Sequence, residues 1–252
     1  MAKQDLNRRD FLKQTAKTAA GVAAGASMAS AAQAGVVKSI LPQSIMGANE
    51  KILTGHIGTG GMGRSHLTFA MRRVMQQKKE DIEPIALCDL YAKNLERGAQ
   101  MAGSVFKRFT QHHDFREVIE NKDIDAVVIA TSDHWHCLCT LYAADAGKDI
   151  YCEKPLSTTI QEGRAMVDAV RRNNVVFQGG TMQRSGPWFQ EAVELVRSGY
   201  IGAVPRIETF NHEPMDLAGI GMGEDDQAKW EEQGLDWDFH QGWVERKPFN
   251  TN

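Results

Sequence analysis

"GHIGTGGMGRSH", residues 55–66, is the stretch that decides the fold. It holds Gly58-x-Gly60-x-x-Gly63 between a short apolar run, "KILTGHIG", and a helix-patterned stretch, "GRSHLTFAMRRVMQQKK". Three glycines alone are a weak sign, because glycine loops are common. A strand before them and a helix after them make the sign specific. In that setting Gly58 permits the tight turn, Gly60 lets the backbone approach a pyrophosphate, and Gly63 lets helix and strand pack closely. Thr59, Gly61 and Met62 complete the loop, and the helix N-terminus then faces phosphate charge. An ordinary strand–helix turn is the competing reading, and the next strand argues against it.

That next strand, "EPIALCD", ends on Asp89. A carboxylate there accepts from both ribose hydroxyls of an adenosine and repels a 2′-phosphate, which favours NAD over NADP. Asp89 lies further from the loop than the usual ~20 residues. The long first helix and the turn "KKEDIEP" account for the difference. Leu67, Met71 and Val74 share one face of that helix.

Working onward, "YAKNLERGAQMAG" reads as a helix, "KRFT" as a short third strand, and "DFREVIEN" as a helix capped by Asp114. "IDAVVIAT" is a continuous apolar run, expected of a strand covered on both faces. "HWHCLCTLYAADAG" is a helix ending at Gly147. "KDIYCEKP" is a fifth strand. "STTIQEGRAMVDAVRRNN" is a helix opened by a capping box at Thr159 and Glu162, and "VVFQGG" is a sixth strand. Strands alternating with helices specify an α/β fold, a doubly wound parallel sheet of the Rossmann kind, over residues 51–180. Beyond it, "PWFQEAVELVRSG" reads as a helix and "AVPRIETF" as a strand beginning something new. Residues 181–252 thus read as an incomplete α+β substrate domain. Trp230, Trp237 and Trp243 are expected to pack against parts the chain lacks.

In a doubly wound sheet the ligand lies outside the carboxyl ends of the strands. Thr131, Ser132, Asp133 and His136 follow the fourth strand and line that crevice. Glu153 and Lys154 end the fifth strand on the same rim. A lysine there can hydrogen-bond a sugar hydroxyl and carry its proton as hydride leaves carbon. Glu153 can orient it or contact the nicotinamide ribose, and Pro155 fixes the exit of the chain. Taken alone, Lys154 would be a solvated strand end. The glycine loop and Asp89 make it a catalytic candidate.

Bulk properties exclude some classes. Lys and Arg total 29 against 32 Asp and Glu, for a net charge of −3, and nothing points to nucleic acid. The N-terminus reads as a processing segment. Arg8 and Arg9 precede Phe11 and Leu12, an Ala/Gly-rich stretch follows, and Ala32-Gln33-Ala34 is a small-x-small cleavage pattern. This is a twin-arginine export signal over residues 1–34, followed by a linker at 35–50. Export places the mature chain in the periplasm or outside the cell, with no membrane anchor after cleavage. Cys88, Cys137, Cys139 and Cys152 read as core thiols. Cys137-x-Cys139 lacks further ligands at finger or ribbon spacing, so no metal site is expected.

"IGTGGMGRSHL", "ALCDL", "VVIATSDHWHCLCTLYAADAGKDIYCEKPLSTT", "QEGRAMVDAVRR" and "QRSGPWFQEAVELVRSGYIGAVPRI" resemble, in order, the Gfo/Idh/MocA oxidoreductases. That group contains glucose–fructose oxidoreductase and inositol dehydrogenase. The resemblance spans roughly residues 51–210, and the Glu153-Lys154-Pro155 triplet combined with the glycine loop is its specific part. It implies that Gly58, Gly60, Gly63, Asp89, Asp133, His136, Glu153 and Lys154 contact the dinucleotide or the reacting carbon, with Lys154 catalytic. It also implies a nicotinamide-side contact at Gln183 and a sugar, polyol or sugar derivative as substrate. The export signal and "LDWDFHQGW" look like the secreted branch. An NAD-assisted glycosidase, and a truncated chain that binds NAD without chemistry, are the alternatives. Ser132 stands where the family usually has Pro, and His56 interrupts an apolar strand. Family members add a large substrate sheet and a D-x-x-x-H motif. Here Asp236-x-x-x-His240 matches the spacing but lies outside such a sheet. The chain is therefore expected to be truncated at its C-terminal side, and assembly of copies would run through the sheet it lacks.

Overall fold

The computed structural model describes residues 51–77, 81–209 and 226–249. The expected export signal and linker, residues 1–50, lie outside the described residues. The strands are β1 (Ile52–Ile57), β2 (Ile82–Cys88), β3 (Thr110–His112), β4 (Ala126–Ile129), β5 (Asp149–Glu153) and β6 (Phe177–Gly180). The helices between them are α1 (Gly61–Met75), α2 (Ala92–Gly103), α3 (Phe115–Glu120), α4 (His136–Asp145) and α5 (Ile160–Asn173). All pairings are parallel, in the order β3-β2-β1-β4-β5-β6. The chain runs outward from β1 through β2 to β3, then returns to the other side of β1 at β4. That reversal opens a crevice at the carboxyl ends of β1 and β4.

Alternation along the strands assigns each side chain to a layer. On one face Leu87 packs with Leu67 and Ala70 of α1 and with Ala102 and Phe106 at the end of α2. On the other, Ile57, Cys88, Val127 and Ile129 pack with Phe115 of α3, Ala143 of α4, and Met166 and Ala169 of α5. Pro84 lies inside β2 and cannot donate to a ladder. The β1–β2 register slips by one residue there, between Thr54 and Gly55. The expected caps are present. Asp114 accepts from the Arg116 amide at 2.9 Å, and Thr159 and Glu162 bond reciprocally at the start of α5. All four cysteines are free and buried.

Three expectations need correction. The third strand is Thr110–His112, not "KRFT". Residues 203–209 form no strand, because among the described residues β6 pairs only with β5 and offers 203–209 no ladder. The described tail also docks on the nucleotide domain, which the sequence did not lead us to expect. Its two short helices, α7 (Gln227–Glu231) and α8 (Trp237–Gln241), follow α6 (Pro187–Arg197) and the residues after it. Trp230 meets Tyr91 at 5.9 Å and Trp243 meets Trp135 at 5.2 Å between ring centroids, while Trp237 packs within the tail, on Phe249 at 5.0 Å. Aromatic edges find partners wherever apolar surface is near, and for Trp230 and Trp243 that surface is the rim of the sheet. No helix among the described residues is long and apolar enough to cross a membrane.

Candidate dinucleotide and catalytic site

The glycine loop is shaped by what each position excludes. Gly58 has φ +91°, and a Cβ there would lie 2.4 Å from the Ala130 carbonyl oxygen. A Cβ on Gly63 would lie 1.9 Å from the Gly58 carbonyl oxygen. Both positions therefore demand glycine for fold reasons. Gly60 and Gly61 are different. A Cβ on Gly60 would meet only the Asn94 side chain, at 3.8 Å, and one on Gly61 would meet nothing. The loop thus leaves its open space where a pyrophosphate would lie. Gly60 caps α1 without a side-chain bond, and no acidic residue stands in the first turn. The free N–H groups and the positive end of a 15-residue helix face that space. Met62 is exposed beside it. Bare backbone, open space and a helix N-terminus suit the diphosphate of NAD.

Asp89 ties the loop to β2. Its Oδ2 accepts from the Thr59 amide at 2.7 Å and the Thr59 hydroxyl at 3.2 Å, and its Oδ1 accepts from the Tyr91 amide at 2.9 Å. A carboxylate has about four acceptor positions, so one remains for a ribose hydroxyl. Thr59 is buried, with its amide and hydroxyl committed to Asp89, so it braces the loop from below. Thr131 and Ser132 line the same crevice. Asp133 opens a short 3-10 turn, Asp133–Trp135, and is exposed.

His136 is buried at 1% exposure. Its Nδ1 lies 2.6 Å from the Pro155 carbonyl oxygen and its Nε2 lies 3.1 Å from that of Thr131. The ring therefore bridges the loop after β4 and the loop carrying Lys154. The peptide bond between Lys154 and Pro155 is cis.

Glu153 is also buried, at 3% exposure. Its Oε1 lies 2.7 Å from His66 Nε2 and accepts from the Tyr151 hydroxyl at 3.4 Å, while Oε2 accepts from the Lys154 amide at 3.1 Å. Burial, then the neighbouring Glu153, raise the Tyr151 pKa and keep its phenol a donor. Glu153 thus orients Lys154 through the main chain. Gly180 makes room for this cluster, since a Cβ there would lie 2.9 Å from Glu153 Cα. The Lys154 side chain is exposed, and its amine has no partner among the described residues. Gln183 is exposed in the 3-10 turn Met182–Ser185 that follows β6.

The crevice holds a cleft of about 330 Å³ lined by Gly58, Gly60, Asp89, Asn94 and Ser132 and, from the tail, by Phe239. Sequence reasoning missed His66, Leu235 and Phe239, and it named His240 only for the spacing Asp236-x-x-x-His240, not as a wall of this cleft. His66 had a signal, since it shares the sheet-facing side of α1 with Gly63, Leu67 and Ala70, where an imidazole needs a partner. The docking of the tail had none, because the contacts that fasten it to the nucleotide domain join residues more than a hundred positions apart. Asp236 caps α8, accepting from the Phe239 amide at 2.8 Å.

Known proteins carry the same architecture. A family profile described as "Oxidoreductase family, NAD-binding Rossmann fold" matches residues 52–181. Levoglucosan dehydrogenase of Pseudarthrobacter phenanthrenivorans is 32% identical over 159 residues, covering 62% of this chain and 39% of its own. Inositol 2-dehydrogenase 3 of Saccharopolyspora erythraea is 30% identical over 189 residues, covering 71% of this chain and 53% of its own. The structure of scyllo-inositol dehydrogenase from Lactobacillus casei, with bound NAD(H) and scyllo-inositol, superposes with a TM-score of 0.53 at 25% identity. It covers 60% of this chain and 42% of that one. The chain thus spans about half the length, or less, of the relatives it matches. With the strand order, the glycine cradle and the profile match in agreement, the chain belongs to the Gfo/Idh/MocA oxidoreductase family and carries its NAD-binding Rossmann domain.

Proposed function

We propose that the protein is an NAD-dependent oxidoreductase that oxidises a secondary alcohol of a sugar, polyol or sugar derivative, with Lys154 as the proton-handling residue. The carrying observation is the exposed Lys154 side chain, whose amine has no partner among the described residues, on the rim that also bears the glycine cradle and Asp89. Bound NAD supplies the acceptor for the hydride that leaves the alcohol carbon. Lys154 hydrogen-bonds the hydroxyl and stabilises the charge that grows on its oxygen as hydride leaves. In its uncharged form, favoured once substrate and cofactor desolvate it, it takes up the hydroxyl proton as the carbonyl forms and passes it to solvent. His66, Tyr151 and Glu153 hold the main chain beneath Lys154, and His136 fixes the loop on its far side. Asp89 favours NAD over NADP by repelling a 2′-phosphate. The names of the levoglucosan and inositol dehydrogenases support a cyclic polyol or anhydrosugar as the substrate class.

Paired Arg8 and Arg9 support export by the twin-arginine route to the periplasm or beyond, with the domain at 51–180 already loaded. Where no pool of NAD exchanges, the cofactor is held tightly and recycled in place by a second carbonyl compound. NAD binding without chemistry is the second reading. It is supported by the commitment of the acids and bases beside Lys154 to one another, since Glu153 is bonded to His66, Tyr151 and the Lys154 amide. Denaturing release of nucleotide from the purified protein, followed by a polyol screen, separates the two. Lys154→Ala is expected to lower kcat at least about 100-fold while NAD binding stays unchanged. Equal turnover in that variant would remove Lys154 from the chemistry. Absence of turnover with every polyol would favour the second reading.

A further inference from the structure

The cleft of about 330 Å³ is not the reacting end of the site. Glu153, Lys154 and Gln183 do not line it, whereas Gly58, Gly60 and Asp89 do. It is therefore the pyrophosphate and adenosine end, and its volume matches the smaller ligand pockets of proteins, about 300 Å³ upward. One wall comes from an unexpected source. Leu235, Phe239 and His240, from the segment 226–249, face the cavity across from the glycine loop.

That segment is fastened on both sides of the cleft. On the β2 side, the Ala92 amide donates to Gly234 O at 2.8 Å and the Asp236 amide to Leu90 O at 3.1 Å, while Tyr91 bridges Leu235 in antiparallel fashion. On the β4 side, Trp135 Nε1 donates to the His240 carbonyl oxygen at 2.8 Å, and His134 Nε2 lies at the same distance from it. Gly242 then turns away with φ +67°, and a Cβ on it would lie 2.9 Å from the Trp135 ring. The segment thus crosses the mouth of the crevice from the Asp89 side to the Ser132 side.

We propose that this segment is the outer wall of an adenine subsite, in which Phe239 and His240, with Trp135 and Phe115 behind them, enclose the adenine of NAD and slow its departure. The proposal rests on the NAD reading above. Its chemistry is that of a purine: flat aromatic faces for stacking, and imidazoles at His113 and His240 for the ring nitrogens. Burial, and then the nearby His134, lower the His240 pKa, with Asp89 acting weakly against them. The ring therefore presents an uncharged edge beside the base.

The test is calorimetric titration of the full chain and of Phe239→Ala and His240→Ala with two half-cofactors, ADP-ribose and nicotinamide mononucleotide. ADP-ribose is expected to bind each variant about tenfold more weakly, from the loss of base–aromatic contact. Nicotinamide mononucleotide is expected to be unaffected, and stopped-flow release of NAD to be faster by a similar factor. Two variants guard against one failing to fold. Unchanged ADP-ribose affinity in both, with NAD still bound by the parent chain, would overturn the wall and leave the NAD reading standing. So would an equal loss for both half-cofactors, which would mark a general distortion. A parent chain that binds neither ADP-ribose nor NAD would overturn both.

Discussion

His56 sits inside β1, on the face that α1 covers, at 2% exposure. Its Nε2 lies 3.3 Å from the Thr54 hydroxyl, and its Nδ1 has no partner among the described residues. Burial, with the nearby His66 adding to it, lowers its pKa from the ordinary 6.5 to about 3. The folded pKa is depressed, so the unfolded chain binds the extra proton below pH 6.5. Stability is then full above that pH and is lost as pH falls toward 3. Between pH 8 and pH 5 this one residue is expected to cost the fold about 2 kcal/mol. Urea denaturation of the parent and of His56→Val at both pH values measures it, since other groups cancel in the difference. Equal pH slopes would mean that the imidazole is solvated. At this scale the sequence was partly legible. Asp89, the glycines and Lys154 stand where strand ends place them, because a strand end is a local property. Glu153 is paired with His66, 87 residues away. His136 bridges two carbonyls that no local pattern connects. Such pairings depend on which elements meet, and one strand's period carries no trace of them.

At the scale of the element, the loop from Lys154 to Thr159 depends on how α5 begins. Glu162 accepts from the Thr158 amide at 2.8 Å and the Thr159 amide at 3.0 Å, and the Thr159 hydroxyl accepts from the Glu162 amide at 3.1 Å. The capping box therefore anchors the far end of the loop whose near end carries Lys154. Thr159→Ala is expected to cost about 1 kcal/mol in equilibrium unfolding. NAD affinity should be unchanged, because the cleft lies at the other helix. The Glu162 pKa is lowered, chiefly by the Thr158 hydroxyl, so the cap acts fully above the ordinary glutamate range and weakens as pH falls through it. The penalty of Glu162→Gln should therefore shrink in acid, and a penalty independent of pH would assign it to packing. This box, the Asp114 cap and the long apolar runs were legible because propensity and period act within a few residues. The third strand was misplaced because it is only three residues long and polar, "TQH", and exists through its ladder with β2. Residues 203–209 read as a strand on composition and lack the neighbour that a strand requires.

Across the whole molecule, the described residues divide into a packed part and an unpacked one. The sheet and α1 to α5 share two cores, while α6 buries none of its eleven residues. Trp188 is 66% exposed, and Phe189, Val193, Leu195 and Val196 are exposed beside it. A helix shorter than about 12–15 residues is marginal in water unless tertiary packing supports it. Pro187 at its start and Arg197 in its last turn favour it only slightly. We therefore expect amides of 188–197 to exchange with deuterium within seconds to minutes. Those of β1, β4 and β5 should be protected to near the global stability of the domain. Limited proteolysis should likewise cut between 186 and 209 before it touches 51–180. The tail separates from α6 in this respect, since its main-chain bonds to Leu90, Ala92, His134 and Trp135 should protect 234–240 against exchange. Protection of α6 equal to that of α5 would show that another surface covers its apolar face in solution. Repeating the exchange at tenfold lower protein concentration then decides between a copy of this chain, which dilution removes, and a contact within the chain, which it does not.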